Sequence, residues 1–377
     1  MRSFFDDFSL YIHIPYCVSK CAYCDFLSFA DRTTMRDYFG ALVKEIERES
    51  KKHKRKVTSV YIGGGTPSLA AAFFPALKDA IFGNFSVESD AEISVEANPE
   101  SVTEAFVRAA KELGVNRVSL GVQSLSNRLL KRIGRVHDEK TALAALTLLT
   151  ENFPSVGADL MVGLPFEMDS DVSETIEKLS DFPLSHLSCY GLILEKGTRL
   201  YEEAKRGDFT LDEDLSADRY DLACDLLGKR GFSRYEISNF CRDGKVCRYN
   251  ASVWQYADYL GLGLGASSFI KRDGGFPASR RRNTRDLIKY IESEGAARPA
   301  FQRIGAEEGK EEFIMLGLRL SEGLDLDRYR LLFGSDLLEE RAEKLEKLAP
   351  FLLFSEDKLA IKPEYFYVSN SIISDLI

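Results

Sequence analysis

The sequence predicts an α/β fold: a partial (β/α)6 TIM-like barrel followed by a small C-terminal winged-helix-like α+β domain. Three observations carry this expectation. Six short runs of β-branched and aromatic residues alternate with helical segments, polar and Gly-rich residues gather directly after the runs, and from about Gln302 the rhythm changes to helices followed by two short apolar strands.

The six predicted strands are Ser9–Ile14, Ser59–Ile62, Glu92–Glu96, Arg117–Gly121, Val156–Val162 and His186–Leu192. Between the first two, Met35, Tyr38, Phe39, Leu42, Val43 and Ile46 recur at spacings of three and four, which gives a helix one apolar face to pack on a sheet. After about Leu200 the alternation weakens. A helix is expected near Leu211–Lys229, a strand near Arg234–Ile237, and close backbone packing in the Gly-rich stretch Tyr259–Phe269. The last two strands, Phe351–Phe354 and Leu359–Ile361, are joined through SEDK. The pattern divides into a barrel over 1–235, a connecting segment packed on it over 236–300, and a small domain over 301–377.

A formal net charge of −9 argues against a protein whose main task is to neutralise nucleic-acid phosphates. The basic runs Arg48–Lys56 and Arg280–Arg285 read as solvated helix ends or loops. The N-terminal segment lacks the cationic start and unbroken apolar run of a signal peptide, and no stretch reaches the ~18 apolar residues of a membrane span. The expectation is therefore a cytoplasmic protein, where cysteines stay reduced and a tight group of them calls for a metal or redox role.

Such a group is present as Cys17-x-x-x-Cys21-x-x-Cys24, in the loop after the first strand. Thiolates are the standard ligands of [4Fe–4S] clusters, and three of them leave the fourth iron open to another ligand. A zinc site would need a fourth ligand; His13 is near, but it alternates within a strand. Gly63-Gly64-Gly65-Thr66-Pro67-Ser68 follows the second strand and opens a helix, where glycines permit close approach and free amides can bond a polar ligand end. Ligands of parallel βα architectures sit at the carboxyl ends of the strands, so these loops share one mouth. Of the other cysteines, Cys189 and Cys224 read as small hydrophobes, and His53, His137 and His186 as solvated or hydrogen-bonded residues.

The run YIHIPYCVSKCAYCDFLSF, then GGGTPS, SVEANPE, RVSLGVQS, IGRVH, DLMVGLP and YEISNF, resembles the radical S-adenosylmethionine (SAM) superfamily, and within it the family of oxygen-independent coproporphyrinogen III oxidase and the haem chaperones of the HemW branch. The resemblance implies a barrel of the radical SAM type, a [4Fe–4S] cluster on Cys17, Cys21 and Cys24, and SAM chelated by the open iron. It implies further that Gly63, Gly64, Gly65 and Thr66 receive the amino end of SAM. Glu96, Gln123, Arg135 and Asp159 would supply polar contacts to its ribose and carboxylate, and Tyr11 and Tyr23 further contacts. Tyr11 and Tyr23 also suit plain packing positions.

Cys24 is followed by Asp25-Phe26 as in the HemW branch, without the further cysteine of the oxidases, which implies haem or porphyrin as a ligand, haem-acceptor proteins as partners and a reductant such as flavodoxin or ferredoxin. One departure stands out. Where the branch carries His-Asn-x-x-Tyr-Trp, this chain has Tyr249-Asn250-Ala251-Ser252-Val253-Trp254, which leaves Tyr249 or the neighbouring Cys247 and Cys241 as the groups that could ligate haem iron. Two other readings stay open: an oxidase that decarboxylates coproporphyrinogen, and an iron–sulfur electron-transfer or structural protein that never uses SAM. Whether the chain is an enzyme is left open by the residues themselves.

Overall fold

The computed structural model describes residues 3–272 and 274–377. Its centre is six parallel strands, each joined to the next by helical crossovers: β1 (Phe8–Ile14), β2 (Val57–Gly64), β3 (Val87–Ala97), β4 (Arg117–Gln123), β5 (Ser155–Val162) and β6 (His186–Gly191). The crossovers contain α1 (Met35–Ser50), α2 (Phe74–Asn84), α3 (Glu104–Leu113), α4 (Asn127–Arg132), α5 (Glu139–Thr150) and α6 (Asp169–Ser180). After β6 come α7 (Arg199–Arg206), α8 (Glu213–Lys229), β7 (Ser233–Arg234), β8 (Asn239–Cys241) and α9 (Arg248–Trp254). The sheet then gains β9 (Asp258–Leu262) parallel to β1, and β10 (Ser267–Arg272), β11 (Gly275–Arg282) and β12 (Ala300–Ile304) antiparallel beyond it. Its full order is β12-β11-β10-β9-β1-β2-β3-β4-β5-β6-β8-β7, an open barrel wall rather than a closed ring.

Alternation along the strands divides the wall into two chemistries. Ile93 and Val95, Val118, Leu120 and Val122, Ala158 and Leu160, and Leu187 and Cys189 are buried in one hydrophobic core with Tyr38, Leu42 and Ile46 of α1 and Phe106 and Val107 of α3. Full burial of each aliphatic side chain contributes about 1.5–3 kcal/mol, so this outer face holds the helices to the sheet. The intervening residues, polar and at period two, face the barrel interior. Helix α3 has clear stops at both ends: Thr103 Oγ1 accepts the Phe106 amide at 3.1 Å, and Gly114 leaves the helix at φ +92°.

The expected strand near Arg234–Ile237 is instead two short strands on either side of a turn, β7 and β8. The Gly-rich stretch Tyr259–Phe269 is the β9–β10 pair, where a side chain on Gly261 would collide with the backbone of Ser267. Arg280–Arg282 are strand residues and not a solvated loop. Arg280 pairs with Glu312 at 2.7 and 3.0 Å, and Arg281 with Glu49 at 2.9 Å, so charged partners on adjoining elements replace the apolar alternation that marks most strands.

Beyond residue 304, three short strands, β13 (Leu324–Asp325), β14 (Leu352–Phe354) and β15 (Lys358–Ile361), form a separate antiparallel sheet in the order β13-β15-β14. It shares a core of Phe313, Ile314, Tyr329 and Ile361 with Phe5, Tyr256 and Phe269 of the larger unit. Among the described residues, no helix is long and apolar enough to cross a membrane.

Candidate cofactor site

The cysteine loop leaves β1 and is tied down at several points. Cys17 donates its amide to Phe29 O at 3.0 Å, Phe29 donates to Pro15 O at 2.8 Å, Ala22 donates to Ile133 O at 2.8 Å, and Leu200 donates to Ala22 O at 2.9 Å. Backbone bonds to the end of α4 and the start of α7 thus position a loop that has no regular structure of its own. The three thiols are free and partly exposed. Thr66 Oγ1 lies 3.6 Å from Cys17 Sγ, and Arg135 Nη1 lies 3.6 Å from Cys21 Sγ. Burial pushes the Cys17 thiol up and the Cys24 thiol up to about 11, so deprotonating the group calls for a cationic partner. Among the described residues no three His, Cys, Asp or Glu groups form a single-ion cage, and His13 is spent on Leu27 O at 2.9 Å and Tyr11 at 3.0 Å. Three thiols on one loop, with no fourth protein ligand, fit the donor set of an iron–sulfur cluster with one open iron.

The glycine motif does something different from what free ligand-binding amides would do. Gly64 donates to Glu96 Oε2 at 2.9 Å, Gly65 to Ile14 O at 2.8 Å and Thr66 to Tyr16 O at 2.7 Å, so all three amides are occupied within the protein. A Cβ on Gly65 would lie 2.6 Å from Tyr16 O, and Gly64 sits at φ +119° against the His13 ring. The motif therefore presses the turn after β2 onto the chain entering the cysteine loop.

Above this turn the interior faces of β2 to β6 build one cavity of about 290 Å³. The Glu96 carboxylate accepts the Tyr61 hydroxyl at 2.8 Å, and burial pushes its pKa up to about 7. Asp159 accepts from Ser119 Oγ at 3.1 Å and is likewise raised by burial. Gln123 takes φ 67° where the pairing of β4 with β5 slips by one residue, a backbone strain of about 1–3 kcal/mol held at the rim of the cavity. Arg135 Nη2 donates to Asn98 Oδ1 at 2.8 Å and to the Gly121 carbonyl, while its buried Nε has no partner among the described residues. Gly121 makes room for this, because a Cβ there would lie 2.8 Å from Asn98 Oδ1.

Cys17, Cys21, Cys24, Tyr23, Gly64, Gly65, Glu96, Gln123, Arg135 and Asp159 all line this cavity. Three candidates stand behind its wall. Gly63 backs the Glu96 carboxyl and the Tyr61 ring, Thr66 is buried between Asn98 and Cys17, and Tyr11 stacks with Tyr61 and Tyr249 at centroid distances of 6.3 and 5.9 Å. His137 bonds the Val122 carbonyl at 3.2 Å, and its Nδ1 lies 3.6 Å from Glu100 Oε2. The sequence reading missed Asn98, Ser119, Arg117, His186 and Ser188. The signal for most of them was the period of two running back along β4 and β6, and for Asn98 its place two residues after Glu96.

Family models match this chain over residues 11–179 (radical SAM superfamily) and 306–370 (HemN C-terminal domain). The heme chaperone HemW of Mycobacterium tuberculosis is 34% identical, the match covering 98% of this chain and 95% of that protein. The chain belongs to the radical SAM superfamily, in the HemW branch of the HemN-like family. A mitochondrial radical S-adenosyl methionine domain-containing protein 1 of Danio rerio is 31% identical over 98% of this chain and 86% of its own length. The solved structure of coproporphyrinogen III oxidase from Escherichia coli, a radical SAM enzyme, superposes with a TM-score of 0.83 at 23% identity, covering all of this chain and 91% of that one, and so shares its fold.

Proposed function

We propose that this protein is a cytoplasmic haem chaperone that binds a [4Fe–4S] cluster through Cys17, Cys21 and Cys24 and SAM in the adjoining cavity, taking electrons from a donor such as flavodoxin or ferredoxin and passing haem to acceptor proteins. The observation that carries the reading is a near full-length match to HemW joined to a cavity in which the three thiols, Arg135, Glu96 and Asp159 meet. When bound, the cluster and SAM supply one-electron chemistry. The chain's own residues bind and orient. The unpartnered Arg135 Nε is a donor available to an anionic group, Glu96 and Asp159 accept from hydroxyl or ammonium groups, and the pinned loop fixes the thiols against the cavity. Gly63, Thr66 and Tyr11 support this wall from behind.

For haem, the two candidate ligands differ. Cys247 is buried, its thiol is pushed up to about 12 by burial, it lies 3.6 Å from Glu92, and it lines the cavity of the cysteine loop. Tyr249 lines a second cavity, of about 240 Å³, together with Trp254, Tyr190 and Tyr259. Haem titration of the full chain should therefore saturate, with a ferric spectrum altered by Tyr249→Phe and unaltered by Cys247→Ala. Absence of saturable haem binding, together with conversion of coproporphyrinogen by the reconstituted protein, would replace the chaperone reading by the oxidase one.

A further inference from the structure

The cavity is deeper than its mouth requires. Residues Gln123 to Arg117 run the length of β4, and at about 3.3 Å per residue they span roughly 20 Å. Arg117 and His186, at the starts of β4 and β6, both line the cavity at the far end from the cysteine loop, and both are more than nine-tenths buried. Arg117 Nη1 donates to Ser155 Oγ at 3.2 Å and to Lys245 O at 3.5 Å, and Glu92 stands 4.0 Å away. Asp159, on the neighbouring strand, is a second acidic group within the field of its charge.

The state of His186 follows from its neighbours. Tyr235 Oη accepts the Cys247 amide at 3.3 Å, and its own proton has, among the described residues, His186 Nε2 at 2.9 Å as its acceptor. The ring hydrogen of neutral His186 then resides on Nδ1, which is buried and has no partner among the described residues. Burial, with the Arg117 charge beside it, holds the imidazole neutral. The Arg117 guanidinium and an unused imidazole N–H thus line one cavity, and leaving such a donor unmatched costs about 1–3 kcal/mol.

We infer that the floor of the cavity, built by Arg117 and His186, is a second subsite that receives a carboxylate, separate from the mouth beside the cysteines. It rests on the proposed function only in treating the mouth as the SAM end. A carboxylate suits the floor because it is acceptor-only, is opposite in charge to Arg117, and can take a guanidinium edge and an imidazole N–H together. The carboxylate can come from a free small acid or from the propionate arm of a tetrapyrrole.

The chain has four histidines, so 15N-histidine labelling of the full-length, anaerobically reconstituted protein gives a spectrum in which His186 is identified by His186→Gln. Propionate, metal-free protoporphyrin IX and its dimethyl ester are each titrated in the absence of SAM. A saturable shift of the His186 Nδ1 resonance with propionate identifies a small acid; a shift with protoporphyrin IX alone identifies a tetrapyrrole arm. Affinity should fall at least ten-fold in Arg117→Met and less in Arg117→Lys, which keeps the charge and the fold but loses the planar fork. No shift with any probe, a shift with the dimethyl ester, or unchanged affinity in a folded Arg117→Met protein overturns the subsite. Because SAM is absent, failure of SAM binding at the mouth would show separately, in a SAM titration of the same samples.

Discussion

Replacing Arg135 by Ala tests the link between the cysteine loop and the rest of the cavity. The side chain spans three elements at once: Cys21 in the loop, Asn98 after β3 and the Gly121 carbonyl in β4, with Nε left over. Losing a charged hydrogen bond to a ligand costs about 1.5–3 kcal/mol, which at about 1.4 kcal/mol per decade is a ten- to hundred-fold loss of SAM affinity. Two acceptors, Asn98 Oδ1 and the Gly121 carbonyl, also lose a donor, so stability should fall by about 1–3 kcal/mol. Cluster content should not change, because the backbone bonds that pin the loop, from Cys17 to Phe29 and from Ala22 to Ile133, do not involve the Arg135 side chain. Arg135→Lys should recover part of the affinity through its charge alone. The assay is a SAM titration followed by the electron paramagnetic resonance of the reduced cluster, with iron and sulfide quantified in each variant. An unchanged SAM dissociation constant in Arg135→Ala would refute the reasoning, and so would loss of the cluster.

Gly121→Ala should weaken SAM binding and lower thermal stability by about 1–3 kcal/mol, because its methyl group would meet Asn98 Oδ1 at 2.8 Å and Arg135 Nη2 at 3.4 Å; differential scanning calorimetry and the same titration check both. Glu236 should make folding pH-dependent. Burial raises its carboxyl from 4.5 to about 7, so the native state holds a proton that the unfolded chain has released between those values. Stability from this group is therefore greatest at low pH, declines as pH rises through that window, and is lower by about 3 kcal/mol above it. Urea unfolding of wild type and Glu236→Gln from pH 5 to 8 should show the decline diminished in the variant, and parallel curves would contradict it.

Much of the site was legible because thiols, glycines and carboxylates each follow a strand, and period-two alternation places strand residues on one wall. Glu96, Gln123 and Asp159 were reached through the family resemblance, and these strand positions are what bring them onto one wall. The roles of the glycines were less accessible: whether an amide is free depends on contacts with Tyr16 and Ile14, some 50 residues earlier in the chain. Thr66 and Tyr11 look like cavity residues in sequence and lie behind its wall for the same reason. Strand β11 escaped notice because its arginines are satisfied by Glu312 and Glu49, partners that only the tertiary fold supplies. Arg117 and His186 were read as plain strand positions, since nothing local distinguishes an inward polar residue with a partner from one without.

The central claim is that Cys17, Cys21 and Cys24 hold a [4Fe–4S] cluster whose open iron meets SAM. Anaerobic reconstitution of wild type and of each single Cys→Ala variant, with circular dichroism to confirm folding and low-temperature electron paramagnetic resonance after reduction, tests it directly. Expected are about four irons per wild-type chain, a reduced-cluster signal that changes when SAM is added, and loss of a stable cluster in all three folded variants. Full iron and sulfide content with unchanged spectra in the variants, or a wild-type signal indifferent to SAM, would contradict it.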